Sequence, residues 1–384
     1  MTKTAGVERW LTQGAPGAAA PAMVLDMLCA RLLACGAPLS RAAVFVQTLH
    51  PDVMGRSFTW RPGAEIDIAV APNAFVQSPE FLASPVWAVR STGQPIRRRL
   101  ADPSCPMDFS ILATLRDEGN TDYLSLPLRF TNGETQCVSW CSAAPGGFSP
   151  EDVEGLGNVT LCLARVAEIW ALRRIAGTLL DTYVGRRSGE RILAGRIQRG
   201  DTEAIGAVVW LSDLRGFTRL SETLPPGDLV AHLNRAFDCQ VAPITEAGGE
   251  VLKYMGDGLL AIFPIGPDQP APEACASAVA AAEGAMRMLA EALPMQGYGI
   301  ALHAGDVLYG NVGAAGRLDF TCIGPAVNMA ARIEALTKTL GHAVLASAAV
   351  AGHLEGRFRD LGGQPLRGFD QAQPVFGLIG SETG

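Results

Sequence analysis

The stretch "VVWLSDLRGFTRLSETLPPGDL", residues 208–229, runs an apolar segment through Trp210 and Leu211 straight to a carboxylate, Asp213, and then into a glycine turn. A strand that finishes with an acid beside a turn holds that acid at a sheet edge. A second stretch, "EVLKYMGDGLLAIFP" (250–264), joins two apolar runs through Gly256-Asp257-Gly258 and reads as a hairpin with Asp257 exposed in its turn. Two carboxylates brought together repel, which raises one pKa unless a cation neutralises them, and hard divalent ions with oxygen ligands do so. Taken singly, Asp213 reads equally well as a helix cap and Asp257 as a turn residue.

Working outward, the segment after Asp213 reads as an amphipathic helix with Leu229, Leu233, Phe237, Val241 and Ile244 on its core face, ending at Gly248-Gly249. Further on, "GIALHAGDVLYGNVG" (299–313) is a glycine-flanked hairpin candidate. The stretch "RLDFTCIGPAVNMAARIEALT" (317–337) reads as a strand passing through Gly324-Pro325 into a helix. In that helix Asn328 and Arg332 are four apart and share a face, so an amide and a guanidinium can grip a ribose oxygen and a phosphate. Alone, such a pair is ordinarily solvated surface. His303 lies between strand-like alternating neighbours, which favours a structural histidine over a general base.

Composition bounds the rest. At 384 residues the chain exceeds one compact domain, and two are expected. A net charge of −7 argues against a large basic surface for nucleic acid, and the run Arg97-Arg98-Arg99 reads as a solvated loop. The nine cysteines are scattered, with Cys137 and Cys141 the only tight pair, so reduced thiols fit better than disulfides or zinc. The start, "MTKTAGVERW", has no apolar signal segment, and no run of 18 apolar residues escapes Asp, Glu or Arg. A soluble cytoplasmic protein with no membrane span is expected.

The sequence divides near residue 185, at "VGRRSGERILAGRIQRGD", giving an expected sensor region over 1–155, a helical connector over 156–203 and a catalytic region over 204–384. In the first region "RAAVFVQTL", "SFTWRP", "TDYLSLPLRF" and "TQCVSWCSA" read as strands, with helices around Val24–Leu33 and Asp108–Arg116. The layout from "YLSLPLRF" through the Asn132-Gly133 turn to "GGFSPED" resembles the second half of GAF domains, an α+β sensor fold. After Leu156 the apolar residues Val159, Leu163, Val166, Trp170, Leu180 and Val184 approach a three-four alternation that Arg173 and Gly177 interrupt. A parallel two-helix connector and one amphipathic helix packed on its own domain both remain open.

Together, "WLSDLRGFTRLSE", "EVLKYMGDGLLAIF", "GIALHAGDVLYGNVG" and "DFTCIGPAVNMAARIE" resemble, in order and spacing, the catalytic domain of class III nucleotidyl cyclases over roughly residues 204–378. The resemblance implies an α+β fold with a ferredoxin-like βαββαβ core, two divalent metal ions (Mg2+ or Mn2+), and a head-to-tail homodimer with active sites at the interface. Carried over by position, Asp213 and Asp257 are the metal-binding acids, with the Leu214 carbonyl an extra ligand. Asn328 and Arg332 are the ribose-orienting and transition-state-stabilising pair, and Arg367 lies near where the family places a basic contact for the triphosphate tail, a position that reads equally well as a surface arginine beside a hairpin turn.

Lys253, four residues before Asp257, and Thr321, seven before Asn328, match the two purine-reading positions as adenylyl cyclases fill them. An ammonium donates to adenine N1 and a hydroxyl accepts from the N6 amino group, whereas guanine presents O6 and N1–H. The implied reaction converts ATP to 3',5'-cyclic AMP and pyrophosphate, under control of an unknown small-molecule or protein signal at the first domain. The alternatives are a guanylate cyclase and a non-catalytic nucleotide-binding module. A diguanylate cyclase is disfavoured, because the nearest match to its turn, Gly248-Gly249-Glu250, continues with Val251 and Leu252.

Overall fold

A computed structural model describes residues 2–48 and 53–382. The chain forms two compact units, residues 1–179 and 180–384. The division falls inside a helix, a few residues before the polar stretch at 185 where the sequence pattern breaks.

In the first unit, helices α1 (Ala5–Thr12) and α2 (Pro21–Ala34) precede strands β1 (Arg41–Gln47), β2 (Val53–Trp60) and β3 (Asp67–Pro72). Then come α3 (Pro79–Leu82), α4 (Pro85–Thr92), β4 (Ile96–Arg98), α5 (Ser110–Asp117), β5 (Asp122–Arg129), β6 (Thr135–Ser142) and α6 (Pro150–Val184). The strands form one antiparallel sheet in the order β3-β2-β1-β6-β5-β4. Strand alternation sends Ala42, Val44, Leu124, Val138 and Trp140 to a face packed against Leu28 and Leu32 of α2 and Leu156, Val159 and Leu163 of α6. Phe45 and Tyr123 belong to separate clusters with Phe81 and Leu112. The four expected strands and both expected helices are present, although Leu49, at the end of the first, lies outside the described residues.

Within the arginine run, Arg97 and Arg98 are not in a solvated loop, although Arg99, just beyond β4, is exposed. Residues Ile96–Arg98 form β4, paired with β5. Arg97 places Nε at 3.2 Å and Nη2 at 2.6 Å from the two carboxylate oxygens of buried Asp122, and Arg98 pairs with Asp108. A buried carboxylate needs such a fork of donors, and Asp122 is distant in sequence, so the charge run by itself gave no sign of it.

Helix α6 is continuous over 35 residues and begins before the expected connector start at 156. Through Ala171 it packs into the core of its own unit, whereas beyond it Leu172, Leu179 and Tyr183 are exposed at 57%, 41% and 80%. It is long and apolar enough to cross a membrane by length and composition, and 44% of its most apolar window is buried inside the protein.

The second unit begins with α7 (Arg186–Leu193), β7 (Thr202–Leu214), α8 (Phe217–Thr223), α9 (Pro226–Glu246), β8 (Glu250–Met255), β9 (Gly258–Ile265) and α10 (Ala271–Ala292). It continues with β10 (Tyr298–Ala314), β11 (Arg317–Ile323), α11 (Pro325–Leu336), β12 (Val344–Ser347), α12 (Ala348–Ala351), β13 (Phe358–Gln364) and β14 (Gln373–Leu378). The succession β7-α9-β8-β9-α10-β10, with strands ordered β10-β7-β9-β8 and all antiparallel, is the expected βαββαβ core. Strands β12, β14 and β13 extend the sheet beyond β10, and β11 folds back onto β10.

Two expectations are corrected here. Residues 299–313 are not a hairpin: they lie within the single strand β10, whose ladder with β7 is unbroken from Tyr298 to Gly310, and the reversal comes between Ala314 and Arg317. The buried face of α9 is centred on Ala236, Cys239, Gln240, Pro243 and Ile244, with Leu229 outside the core. Small residues let α9 approach closely, and Gln240 is taken inward because its side-chain oxygen accepts from Ser212 at 2.5 Å.

Even-numbered Val208 and Trp210 face α9 and α10, while Ala207, Val209 and Leu211 face the side carrying β11 and α11. Asp213 continues that second set. The β8–β9 turn has two residues, Gly256 at φ +68° and Asp257, with glycine where a tight hairpin needs a positive φ. Next to it, a Cβ on Gly258 would stand 2.1 Å from the Ser212 carbonyl oxygen and 3.5 Å from the Asp213 Cα. Only glycine lets the turn lie this close to the end of β7. Gly258→Ala is therefore expected to cost roughly 2 kcal/mol or more of stability and to lower the denaturant midpoint of the second unit; a melting curve matching wild type would contradict this.

Candidate functional site

The close approach at Gly258 puts the two acids in contact. Burial, then the charge of Asp257 and a hydrogen bond shared with it, raise the Asp213 carboxyl above its ordinary pKa, while the Leu214 amide donates to the same carboxylate and partly offsets the rise. It is the Leu214 N–H that meets Asp213, and this leaves the Leu214 carbonyl free of any role in that bond. Strand order and turn type thus convert two acids far apart in sequence into one oxygen-rich locus.

A third acid flanks them. Asp213 lies opposite Gly299 in the β7–β10 ladder, and a Cβ on Gly299 would stand 2.8 Å from Glu334 Oε1 of α11. Burial first, and then the Asp213 charge, push Glu334 up to about 7. Arg215, two residues after Asp213, opposes this rise, and its own pKa is lowered by burial. Lys338 also acts on Asp213, lowering its pKa. Among the described residues no group of three or more His, Cys, Asp or Glu side chains forms a ready-made metal cage. Two adjacent carboxylates that resist joint ionisation fit a hard divalent cation that takes its remaining oxygens from phosphate and water.

Lys253 lies on β8 and Thr321 on β11. Lys253 Nζ donates to Asp319 Oδ2 at 3.1 Å. Two residues on, Thr321 is buried at 3% exposure, and its Oγ1 has no hydrogen-bond partner. A buried hydroxyl without a partner costs about 1–3 kcal/mol, so it suits a ligand that completes it. Tyr309 and Ser188 both donate to Glu250 at the start of β8, fixing that strand against β10 and α7.

Asn328 and Arg332 both lie on the exposed side of α11 and make no side-chain hydrogen bond or ion pair among the described residues. Arg367 is exposed between β13 and β14, likewise unpaired. No hydrogen bond or ion pair joins Asp213 or Asp257 to Lys253, Thr321, Asn328 or Arg332 among the described residues. Asp213 and Asp257 form one cluster and Lys253 and Asp319 an ion pair, while Asn328, Arg332 and Arg367 are exposed. His303 is in β10, with Nδ1 2.8 Å from Ser347 Oγ and its pKa lowered by burial, as a structural histidine would be.

Sequence reasoning missed Glu334, Arg215 and Asp319. The alternation of β11 could have offered Asp319, which shares a strand side with Thr321. Glu334 gave no such sign, because its partners come from β7 and β10.

Residues 201–373 match the family model for the adenylate and guanylate cyclase catalytic domain. An adenylate cyclase of Anabaena cylindrica is 36% identical over 163 residues, 41% of this chain and 32% of that protein. Adenylate cyclase 1 of Rhizobium meliloti is 32% identical over 179 residues, 44% of this chain and 27% of that protein. The chain thus spans about a third or less of the length of these relatives. Among solved structures, a bacterial light-regulated adenylyl cyclase aligns with a TM-score of 0.50 and 25% identity, over 58% of this chain and 64% of that one.

Raising a carboxyl pKa on folding makes the folded state bind its proton more tightly. Stability therefore falls as pH rises from the ordinary glutamate pKa to about 7, and the cost of Glu334 is fully present above that. In metal-free protein, Glu334→Gln should raise stability at pH 8 by on the order of 1 kcal/mol, allowing for its partial solvent exposure, with the gain gone by about pH 4. Urea denaturation at the two pH values measures it; a gain equal at both would contradict the assignment.

Proposed function

We propose, from the membership of residues 201–373 in the adenylate and guanylate cyclase catalytic domain family, that this chain is an adenylate cyclase converting ATP to 3',5'-cyclic AMP and pyrophosphate. The observation that carries the reading is the Asp213–Asp257 pair, two carboxylates held in contact at the end of β7, where burial and the Asp257 charge raise the Asp213 pKa. Asp213 and Asp257 would hold two divalent ions, Mg2+ or Mn2+, with the Leu214 carbonyl as a further oxygen donor. Bound there, such ions supply acidity to the ribose 3'-hydroxyl and charge neutralisation to the phosphates.

The protein's own groups do the rest. Lys253 donates to adenine N1, and the Thr321 hydroxyl accepts from the N6 amino group, which completes its missing hydrogen bond. Asn328 orients the ribose so that its 3'-oxygen attacks the α-phosphorus, and pyrophosphate leaves. Arg332 stabilises the charge that develops on the α-phosphate, and Arg367 contacts the triphosphate tail. Asp319, bonded to Lys253, positions that ammonium.

The resemblance to class III nucleotidyl cyclases, with no hydrogen bond or ion pair joining Asp213 or Asp257 to Lys253, Thr321, Asn328 or Arg332 among the described residues, supports a homodimer in which one subunit supplies the acids and its partner the other four. The first unit fits a regulatory role for a protein that acts in the cytoplasm. Its GAF-like character rests on layout alone.

Two experiments test the reading. Incubation with ATP or GTP and Mg2+ or Mn2+, followed by chromatography, should give cyclic AMP in preference to cyclic GMP. Predominant cyclic GMP would favour a guanylate cyclase, and no turnover a non-catalytic module. Lys253→Glu with Thr321→Cys should then cut ATP use at least tenfold relative to GTP, because the donor and acceptor pattern at the purine edge is reversed. An unchanged preference would refute the base-reading roles.

The second tests the shared site. Asp257→Ala and Arg332→Ala chains should each be inactive and yet recover activity when mixed, because the mixed dimer has one site with both lesions and one with neither. With random exchange half the dimers are mixed and each has one good site, so recovery should approach about a quarter of wild type. No recovery despite demonstrated exchange would place all six residues in one chain's site.

A further inference from the structure

The first unit contains a cavity of about 460 Å³ between the sheet and helices α2 and α6, independent of the catalytic reading. Val44, Val46, Phe58, Leu163, Val166 and Trp170 give it apolar walls from β1, β2 and α6. Packed interiors leave few voids larger than a water molecule, and this volume lies in the range of small-molecule sites.

Its charged lining has one sign. Among the described residues, Arg56, Arg173 and Arg174 border the cavity and no acidic residue does. None of the three makes an ion pair with an acid among the described residues. Arg173 stacks over the Trp170 ring at 5.5 Å. Arg56 and Arg174 are near enough to repel, and burial together with that repulsion lowers the Arg56 pKa. A bound anion would relieve this repulsion, as guanidinium forks match a carboxylate.

The lining also restricts what the anion carries. Among the described residues Thr48 is the one uncharged polar side chain in it besides the Trp170 indole, so a base and ribose buried here would leave most of their donors and acceptors unmet. A hydrocarbon tail loses nothing in the same place. We propose that this cavity binds a free medium-chain carboxylate, its tail against Val44, Phe58, Val166 and Trp170 and its head group at Arg56 and Arg174.

Calorimetric titration of the full chain with sodium decanoate, 1-decanol and sodium acetate tests this. Decanoate should bind saturably and at least tenfold more tightly than 1-decanol, which lacks the charge, while acetate, which lacks the tail, should not saturate. Arg56→Met with Arg174→Met should lose at least tenfold for decanoate and leave 1-decanol unchanged. Val166→Trp, which fills the cavity, should abolish both, with circular dichroism confirming the fold of each variant.

If a variant fails to fold, the wild type still decides: raising NaCl should weaken decanoate but not 1-decanol binding. Equal affinity for acid and alcohol, salt-independent decanoate binding, or decanoate binding unaltered in both variants would overturn the proposal. So would sedimentation with phosphatidylglycerol vesicles in the absence of any decanoate binding, since that would assign the arginines to a membrane surface.

Discussion

Two carboxylates that repel each other are held together at the end of β7 by a backbone that leaves them no alternative. Gly258 has no room for a side chain against the Ser212 carbonyl, so the β8–β9 turn closes onto the strand end and carries Asp257 to Asp213. Seven antiparallel β7–β9 pairs, from Gly206↔Ile265 to Ser212↔Leu259, fix that register. Slippage by one residue would send Asp213 to the α9–α10 face and every apolar neighbour with it. The hydrophobic cores on both faces therefore stabilise an arrangement that electrostatics alone opposes, and the stored repulsion is what makes the locus receptive to a cation.

The same sheet separates the groups that the proposed reaction needs. Lys253 stands near the end of β8, only four residues from Asp257, yet it turns toward Asp319 on β11 rather than toward the acids. Thr321 shares that side and keeps a hydroxyl buried without a partner. A buried polar group of this kind is costly in a free protein and is completed by a ligand with the right donor or acceptor. Asn328 and Arg332 are exposed on α11 and unpaired among the described residues.

The first unit solves a different packing problem. A six-stranded antiparallel sheet buries one face against α2 and α6, yet leaves a cavity where that face meets three arginines. Asp122 and Arg97 show the opposite solution, a buried acid closed by a bidentate guanidinium.

Much of this protein could be read from its sequence because the decisive features are local. The apolar run ending at Asp213, the Gly256-Asp257-Gly258 turn and the helical spacing of Asn328 and Arg332 follow from strand alternation, turn chemistry and a helix period. The strands and helices of the first, α+β unit also followed from such patterns, whereas the βαββαβ core was implied by the resemblance to class III nucleotidyl cyclases. Long-range pairing decided the rest. Glu334 became a neighbour of Asp213 only through α11 docking on β10, and Arg97 a partner of Asp122 only through β4 joining β5. Residues 299–313 became one strand rather than a hairpin because β7 offered a continuous ladder. A chain segment carries its own periodicity but not the identity of the segment that will face it, so partners, pKa shifts and the empty space between elements were set by the tertiary structure alone.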